Sequence, residues 1–194
     1  MKNEKGNALL ISVIILVAIG IFGIYVFSKY NSIVTSEENI SSKWSQVENQ
    51  LQRRFDLIPN LVNTAKGYAA HEEEIFLKLA EARSEYGSAK SIEDVANAND
   101  ELSQALSNLF VVVENYPELK SNEQFNMLMT ELAGTENRIA VARKDYNEAV
   151  QEYNSTIRRF PGSIIANMFD FELKTYFEVQ EGIEEVPTIQ FEDE

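Results

Sequence analysis

The chain contains no cysteine. Disulfides, thiolate metal sites, cysteine nucleophiles and lipid-modified cysteines are all excluded by that absence. It suits either side of a membrane and fixes no compartment. Histidine is almost as scarce, with His71 alone in 194 residues. A zinc helix of the usual kind needs two histidines, and a carboxylate di-iron bundle needs Glu-x-x-His twice plus two further Glu on facing helices. The run His71-Glu72-Glu73-Glu74 supplies neither and reads as a solvated helix end. An all-carboxylate site built from Glu72, Glu114 or Glu136 is the one metal arrangement left to weigh. Gly-x-Ser-x-Gly, a phosphate-cradling glycine loop and the dinucleotide fingerprint are missing as well. The sequence therefore predicts no catalytic, cofactor-binding or metal-binding residues, and no enzyme activity.

Glycine and proline are few, at 8 and 4. Such a composition, rich in Glu, Ala, Leu and Asn, favours helices over a large sheet. Positive charge is also in short supply. The formal net charge is −14, and of the charged residues only Lys2, Glu4 and Lys5 precede Phe27. The negative excess thus belongs to everything after Phe27. A domain this acidic is repelled by nucleic acid and by anionic lipid surfaces. No nucleic-acid partner is expected, and no small-molecule substrate is evident.

What the chain does have first is a charge-free run of 19 residues from Leu9 to Phe27. At ~1.5 Å per residue it spans about 28 Å, the thickness of a bilayer's hydrocarbon core. Tyr25 and Tyr30 lie near one end, where amphipathic rings favour the interface, and Lys2, Lys5 and Lys29 flank the run. It exceeds the ~7–15 residues of a signal-peptide core, and no A-x-A site follows. The expectation is a single-pass anchor in the cell membrane, contacting lipid through residues 9–27. Lys2, Lys5 and the amino group outnumber Lys29 and Lys43 by one positive charge, which favours an N-terminus inside and a domain outside.

From Ile40 the apolar positions recur every three or four residues through Trp44, Val47, Leu51, Phe55, Ile58 and Leu61. That is one face of a helix. Pro59 interrupts the register, predicting a kink or a restart, with Asp56 near enough to cap the restarted helix. A second helix is expected from about Pro59 to Tyr86, stopping at Gly87-Ser88. Ser91 with Asp94 predicts a capping box for a third, carrying Val95, Leu102, Leu106 and Leu109, and ending at Glu114-Asn115-Tyr116-Pro117. The last long helix starts near Ser121 or Asn122 and stops before Phe160-Pro161-Gly162. Ser163–Phe171 reads as a short packing helix. The fold class is all-α: an N-terminal transmembrane helix followed by an antiparallel up-down four-helix bundle. The divisions are 1–8 polar, 9–27 transmembrane, 31–171 bundle and 172–194 an acidic tail, in which 186–191 alternates like an extended strand.

The arginines lie on helices rich in Glu. Surface ion pairs are the plain reading. The sharper one has Arg53 or Arg54, with Asn60, Glu136 and Asn137, forming a partly buried polar network that fixes helix register. Proline at Pro59, Pro117 and Pro161 marks helix breaks, Asn115 and Tyr116 shape a link, and Asn147 is suited to an interhelix hydrogen bond.

These same residues carry a resemblance. The stretches Gln52-Arg53-Arg54-Phe55-Asp56-Leu57-Ile58-Pro59-Asn60-Leu61-Val62, Glu114-Asn115-Tyr116-Pro117-Glu118-Leu119-Lys120, Glu131-Leu132-Ala133-Gly134-Thr135-Glu136-Asn137-Arg138 and Ala142-Arg143-Lys144-Asp145-Tyr146-Asn147 are long and specific. They resemble the LemA family of bacterial membrane proteins over roughly residues 25–191. The resemblance implies an N-terminal anchor and a helical bundle. It implies no catalytic residues, and it places the large domain in the cytoplasm, against the charge count; the side stays open. The expected function is a non-enzymatic scaffold or adaptor with protein partners. The alternatives are a self-associating factor in membrane or envelope organisation, and a carboxylate-only metal-dependent hydrolase.

Overall fold

The computed structural model describes residues 2–69 and 71–178, with side chains from Leu10 onward. The expected extended stretch 186–191 and most of the acidic tail lie outside these residues. Among the described residues every regular element is a helix: α1 Lys2–Lys66, α2 Glu73–Ser88, α3 Ile92–Val113, α4 Pro117–Lys120, α5 Glu123–Arg158 and α6 Gly162–Met168.

The expected restart at Pro59 does not occur, and α1 continues unbroken past it. Proline inside a helix costs about 3 kcal/mol. Ile58 and Leu61 on either side are completely or almost completely buried, and each contributes ~1.5–3 kcal/mol by leaving water. Packing of that face therefore matches or exceeds the local penalty. Asp56 does not cap anything; it accepts a hydrogen bond from Gln52 Nε2 at 2.9 Å. The break comes later, from Gly67, where Tyr68 and Ala69 N–H both turn back to the Ala65 carbonyl at 3.0 and 2.9 Å. Glu73 and Glu74 then open α2, where the positive end of the helix dipole favours carboxylates.

The expected start of α3 is present. Ser91 Oγ accepts from Asp94 N–H and Asp94 Oδ2 accepts from Ser91 N–H, both at 3.0 Å. Those hydrogen bonds hold the Asp94 carboxyl below its ordinary value.

The described residues fall into two compact units. The first takes those up to Val47 with Ala142–Thr175, and the second takes Glu48–Val141 with those from Tyr176. In the first, Ile33, Ile40, Tyr146, Val150, Tyr153, Ile157 and Ile165 are buried. In the second, one core joins Ile58, Leu61 and Ala65 of α1 with Phe76 and Leu79 of α2, Leu102, Leu106 and Leu109 of α3, Leu119 of α4, and Phe125 and Leu132 of α5.

In the first unit an irregular segment after α6 is tied down through its backbone. The phenols of Tyr153 and Tyr146 donate to the carbonyls of Glu172 and Thr175 at 3.0 and 2.8 Å. Asn154 pairs twice with the Lys174 backbone, accepting from its N–H and donating to its carbonyl, each at 2.9 Å. Burial, reinforced by Glu37 and Glu172, pushes the Tyr153 phenol up to about 12. A raised tyrosine favours the neutral form in the folded state, so its contribution is complete below the unfolded value of 10.0 and fades as pH rises through about 12. The first unit should therefore lose stability between those limits. Unfolding followed by pH jump should show Tyr153→Phe less sensitive to alkali than the parent.

Asp170 sits in the left-handed region at φ 56°, and Phe171 N–H reaches back to the Ala166 carbonyl at 3.0 Å. This is a Schellman stop, a position that suits glycine. Asp170→Gly should leave that hydrogen bond in place and raise stability by roughly 0.5–1 kcal/mol, whereas Asp170→Val should lower it by ~1–2 kcal/mol. Thermal midpoints of the two variants check the sign.

Candidate functional site

The polar centre of the second unit is Arg54. It sits on the buried stripe of α1 between Leu51 and Ile58, and only 4% of it reaches solvent. Its Nη1 donates to Asn99 Oδ1 at 2.8 Å and to Ser103 Oγ at 3.0 Å, both on α3. The same nitrogen pairs with Glu136 Oε2 on α5 at 2.7 Å. Ser103 Oγ in turn donates to the Asn99 carbonyl at 2.9 Å. Arg54 Nε is buried with no hydrogen-bond partner. Burial pushes the guanidinium below its ordinary value, while Glu136 and Asp100 push it back up. The cation is inside and its counter-ion is at the surface, since the Glu136 side chain is 51% exposed.

Around this point α1 and α5 share a ladder of surface charges. Arg53 pairs with Glu131, and Arg138 joins Glu131 at 3.3 Å and donates through Nε to Gln50 Oε1 at 3.1 Å. Next to Arg54 in the chain, Phe55 packs on Tyr86 with ring centroids 5.2 Å apart, and the Arg83 guanidinium lies 4.3 Å from the Phe55 centroid. Burial, with Glu48 and Asp56 nearby, raises the Tyr86 phenol.

The sequence-predicted residues distribute unevenly. Arg54 and Glu136 come together as a pair. Asn60 and Asn137 are exposed and stand outside the cluster; Asn99 and Ser103 hold the places expected for them. Asn99 falls three residues after Ala96 and three before Leu102, both buried. A polar residue on that stripe was the available signal. Arg53 is a surface ion-pair residue, and Pro59 is helix interior. Arg143 and Asn147 are half-buried on α5, in the first unit.

The link before α5 is held by named contacts. Glu114 caps α3, Asn115 and Tyr116 N–H return to the Val112 and Val113 carbonyls at 2.9 and 3.0 Å, and Pro117 opens α4. The Tyr116 phenol donates to Glu72 Oε1 at 2.7 Å, and that hydrogen bond raises its value. Asn122 Nδ2 donates to the Tyr68 hydroxyl at 3.0 Å. Of the three carboxylates weighed for a metal, Glu72 thus serves Tyr116, Glu136 serves Arg54 and Glu114 is at a helix end. Among the described residues no three of His, Cys, Asp and Glu gather in a way that could hold an ion. A groove of about 520 Å³ lies elsewhere in the second unit, lined by Lys66, Glu73, Phe76, Leu77 and Ala80.

The chemistry of the Arg54 cluster is that of a tether. Through Nη1 this one α1 side chain reaches acceptors on both α3 and α5.

Comparison with known proteins agrees with the motif residues. The chain is 32% identical over 176 residues to each of the magnetosome proteins MamQ 2 and MamQ 1 of Paramagnetospirillum magneticum, covering 77% of itself and 65% of either relative. The chain thus spans about two thirds of the length of those relatives. It is 30% identical over 195 residues to magnetosome protein MamQ of Magnetospirillum gryphiswaldense, covering 87% of itself and 71% of that protein. Protein LemA of Metamycoplasma hominis is 24% identical over 170 residues, with 86% and 76% covered. Residues 43–191, which include Arg54, Asn99, Ser103 and Glu136, match the LemA family, and the chain belongs to that family.

Proposed function

We propose that this is a single-pass membrane protein that acts by binding and not by catalysis. Residues 9–27 anchor it, residues 31–171 form an antiparallel up-down bundle, and the acidic surface with its tail recruits protein partners. The observation that carries the reading is the character of α1. Its apolar first part lies open along the helix, with Leu16 72% and Ile24 73% exposed, and six residues after Phe27 the same unbroken helix supplies a fully buried Ile33. An apolar surface that long needs a non-aqueous cover, and no linker separates it from the packed part.

Antiparallel order is supported within the first unit. The segment from Phe169 to Lys174 moves from Tyr30 to Glu37 along α1, while Glu172 to Thr175 moves from Tyr153 back to Tyr146 along α5. A segment that ascends one helix as it descends the other supports the reading that the two run oppositely.

The cell membrane is the proposed location, with the side to be read by protease access to sealed and inverted vesicles. Pull-down in mild detergent tests the adaptor role. Specific partners should be recovered, and binding should weaken as salt screens the acidic surface. Recovery of abundant background proteins alone would count against it. Crosslinking in intact membranes tests self-assembly, which requires a ladder of homo-oligomers.

A further inference from the structure

Aromatic rings mark the place where α1 leaves its apolar stretch. Tyr30 stands three residues past Phe27, about 4.5 Å along the helix. Its ring lies 4.7 Å from that of Phe169 and 5.7 Å from that of Phe171. The end of α6 is therefore fixed beside the end of the span. Helix α6 turns Ile165 and Ala166 inward, at 3% exposure each, and leaves Ile164 and Met168, one turn apart, at 52% and 61%. On its flanks Phe160 is 82%, Phe169 46% and Leu173 58% exposed. Elsewhere on the domain the open apolar side chains are sparse, Leu77, the pair Phe110 and Val111, Met127 and Val141 among them; here they crowd into one short segment. Arg158 and Arg159 are exposed at its edge and, with Lys174, outnumber the exposed Asp170 and Glu172 of the segment, so the domain's acidic excess is absent here.

We propose that Phe160–Leu173 is a membrane-contact foot, lying in the headgroup and upper acyl region of the same bilayer that the N-terminal helix spans. The inference rests on the anchor reading. Continuity decides the occupant, because the segment is tied by Tyr30 to the point where the chain emerges from lipid. Exposed Phe, Ile, Met and Leu enter the boundary layer by ~5–10 Å, as interfacial helices do. Arg158 and Arg159 keep their charged ends among lipid phosphates while their stems stay in the apolar layer. Core packing gives no reason for these side chains to face outward, since Ile165 and Ala166 already provide α6 with its buried face.

The cysteine-free sequence makes a clean test. Ile164→Cys, Met168→Cys, Val111→Cys and Ile15→Cys are each placed in the full chain and labelled with nitrobenzoxadiazole. The proteins are reconstituted in vesicles of phosphatidylcholine and phosphatidylglycerol. Lipids brominated near the headgroup end of the acyl chain should quench the Ile164 and Met168 labels by about half, and aqueous iodide should reach them poorly. The Val111 label should show the opposite pattern. Labels at Ile164 and Met168 that behave like the one at Val111 overturn the foot. Shielding from iodide that appears only at high protein density, without bromolipid quenching, assigns the surface to a second copy and also overturns it. The Ile15 label reports the anchor by itself: quenched there but not at Ile164 means the foot alone fails, and unquenched there means the anchor fails with it. Unchanged Trp44 emission verifies that each labelled protein is folded.

Discussion

Arg54→Ala should cost the folded protein roughly 3 kcal/mol, read by urea unfolding near neutral pH. The substitution empties a buried volume and strips Asn99 Oδ1 and Ser103 Oγ of their shared donor. Glu136 adds little to that loss, because half its side chain already meets water. The informative companion is Glu136→Gln. Its position is exposed, and exposed substitutions normally stay within ~0.5 kcal/mol. Here it removes the closest countercharge of a buried cation and should cost about 1–2 kcal/mol. Arg54→Met fills the space without a charge and should recover most of the alanine loss, since a well-packed apolar replacement of a buried ion is often neutral. If Arg54→Ala and Glu136→Gln both stayed within ~0.5 kcal/mol of the parent, the tether would not be holding the second unit together.

Gly162→Ala should be the most damaging single methyl in the first unit, at roughly 3 kcal/mol. A Cβ at this position would collide with the Thr156 carbonyl oxygen and lie 3.2 Å from its carbon. The obstacle is backbone, so no side chain can swing aside, and the start of α6 must move away from the end of α5. Gly20 and Gly23 provide the contrast, since a methyl added at either would meet nothing within 4 Å. Alanine there should leave the domain's unfolding midpoint where it is. A Gly162→Ala protein that unfolds at the parent's denaturant concentration would refute the close approach.

The legible features are the local ones. The Ser91 and Asp94 capping box needs residues three apart and no tertiary partner, and it forms where the spacing says it should. The apolar run at Leu9–Phe27 is equally plain, and among the described residues one helix is long and apolar enough to cross a membrane. Pro59 misleads because a proline's local cost is visible in a sequence while the burial that offsets it is not. The end of α1 at Lys66 escapes for the converse reason: Gly67 alone is a weak stop, while Ala69 is buried and Tyr68 and Glu72 find Asn122 and Tyr116. Arg54 with Glu136 is within reach of sequence reasoning, being one of few cations beside an apolar stripe. Asn99 is legible by its place on the α3 stripe between Ala96 and Leu102, whereas Asn60 and Asn137 lie off the stripes of their helices.

Trp44 is the single tryptophan, and it packs against Tyr146 in the first unit with ring centroids 5.3 Å apart. Intrinsic emission is therefore a local reporter, while ellipticity sums over helices of both units. Gly162→Ala should displace the optical transition seen through the indole, and Arg54→Ala the one seen through the peptide bond. Coincidence of the two curves in the parent protein would make the whole chain one cooperative block; separation would assign each half its own melting point, with a lone indole as the built-in label that tells them apart.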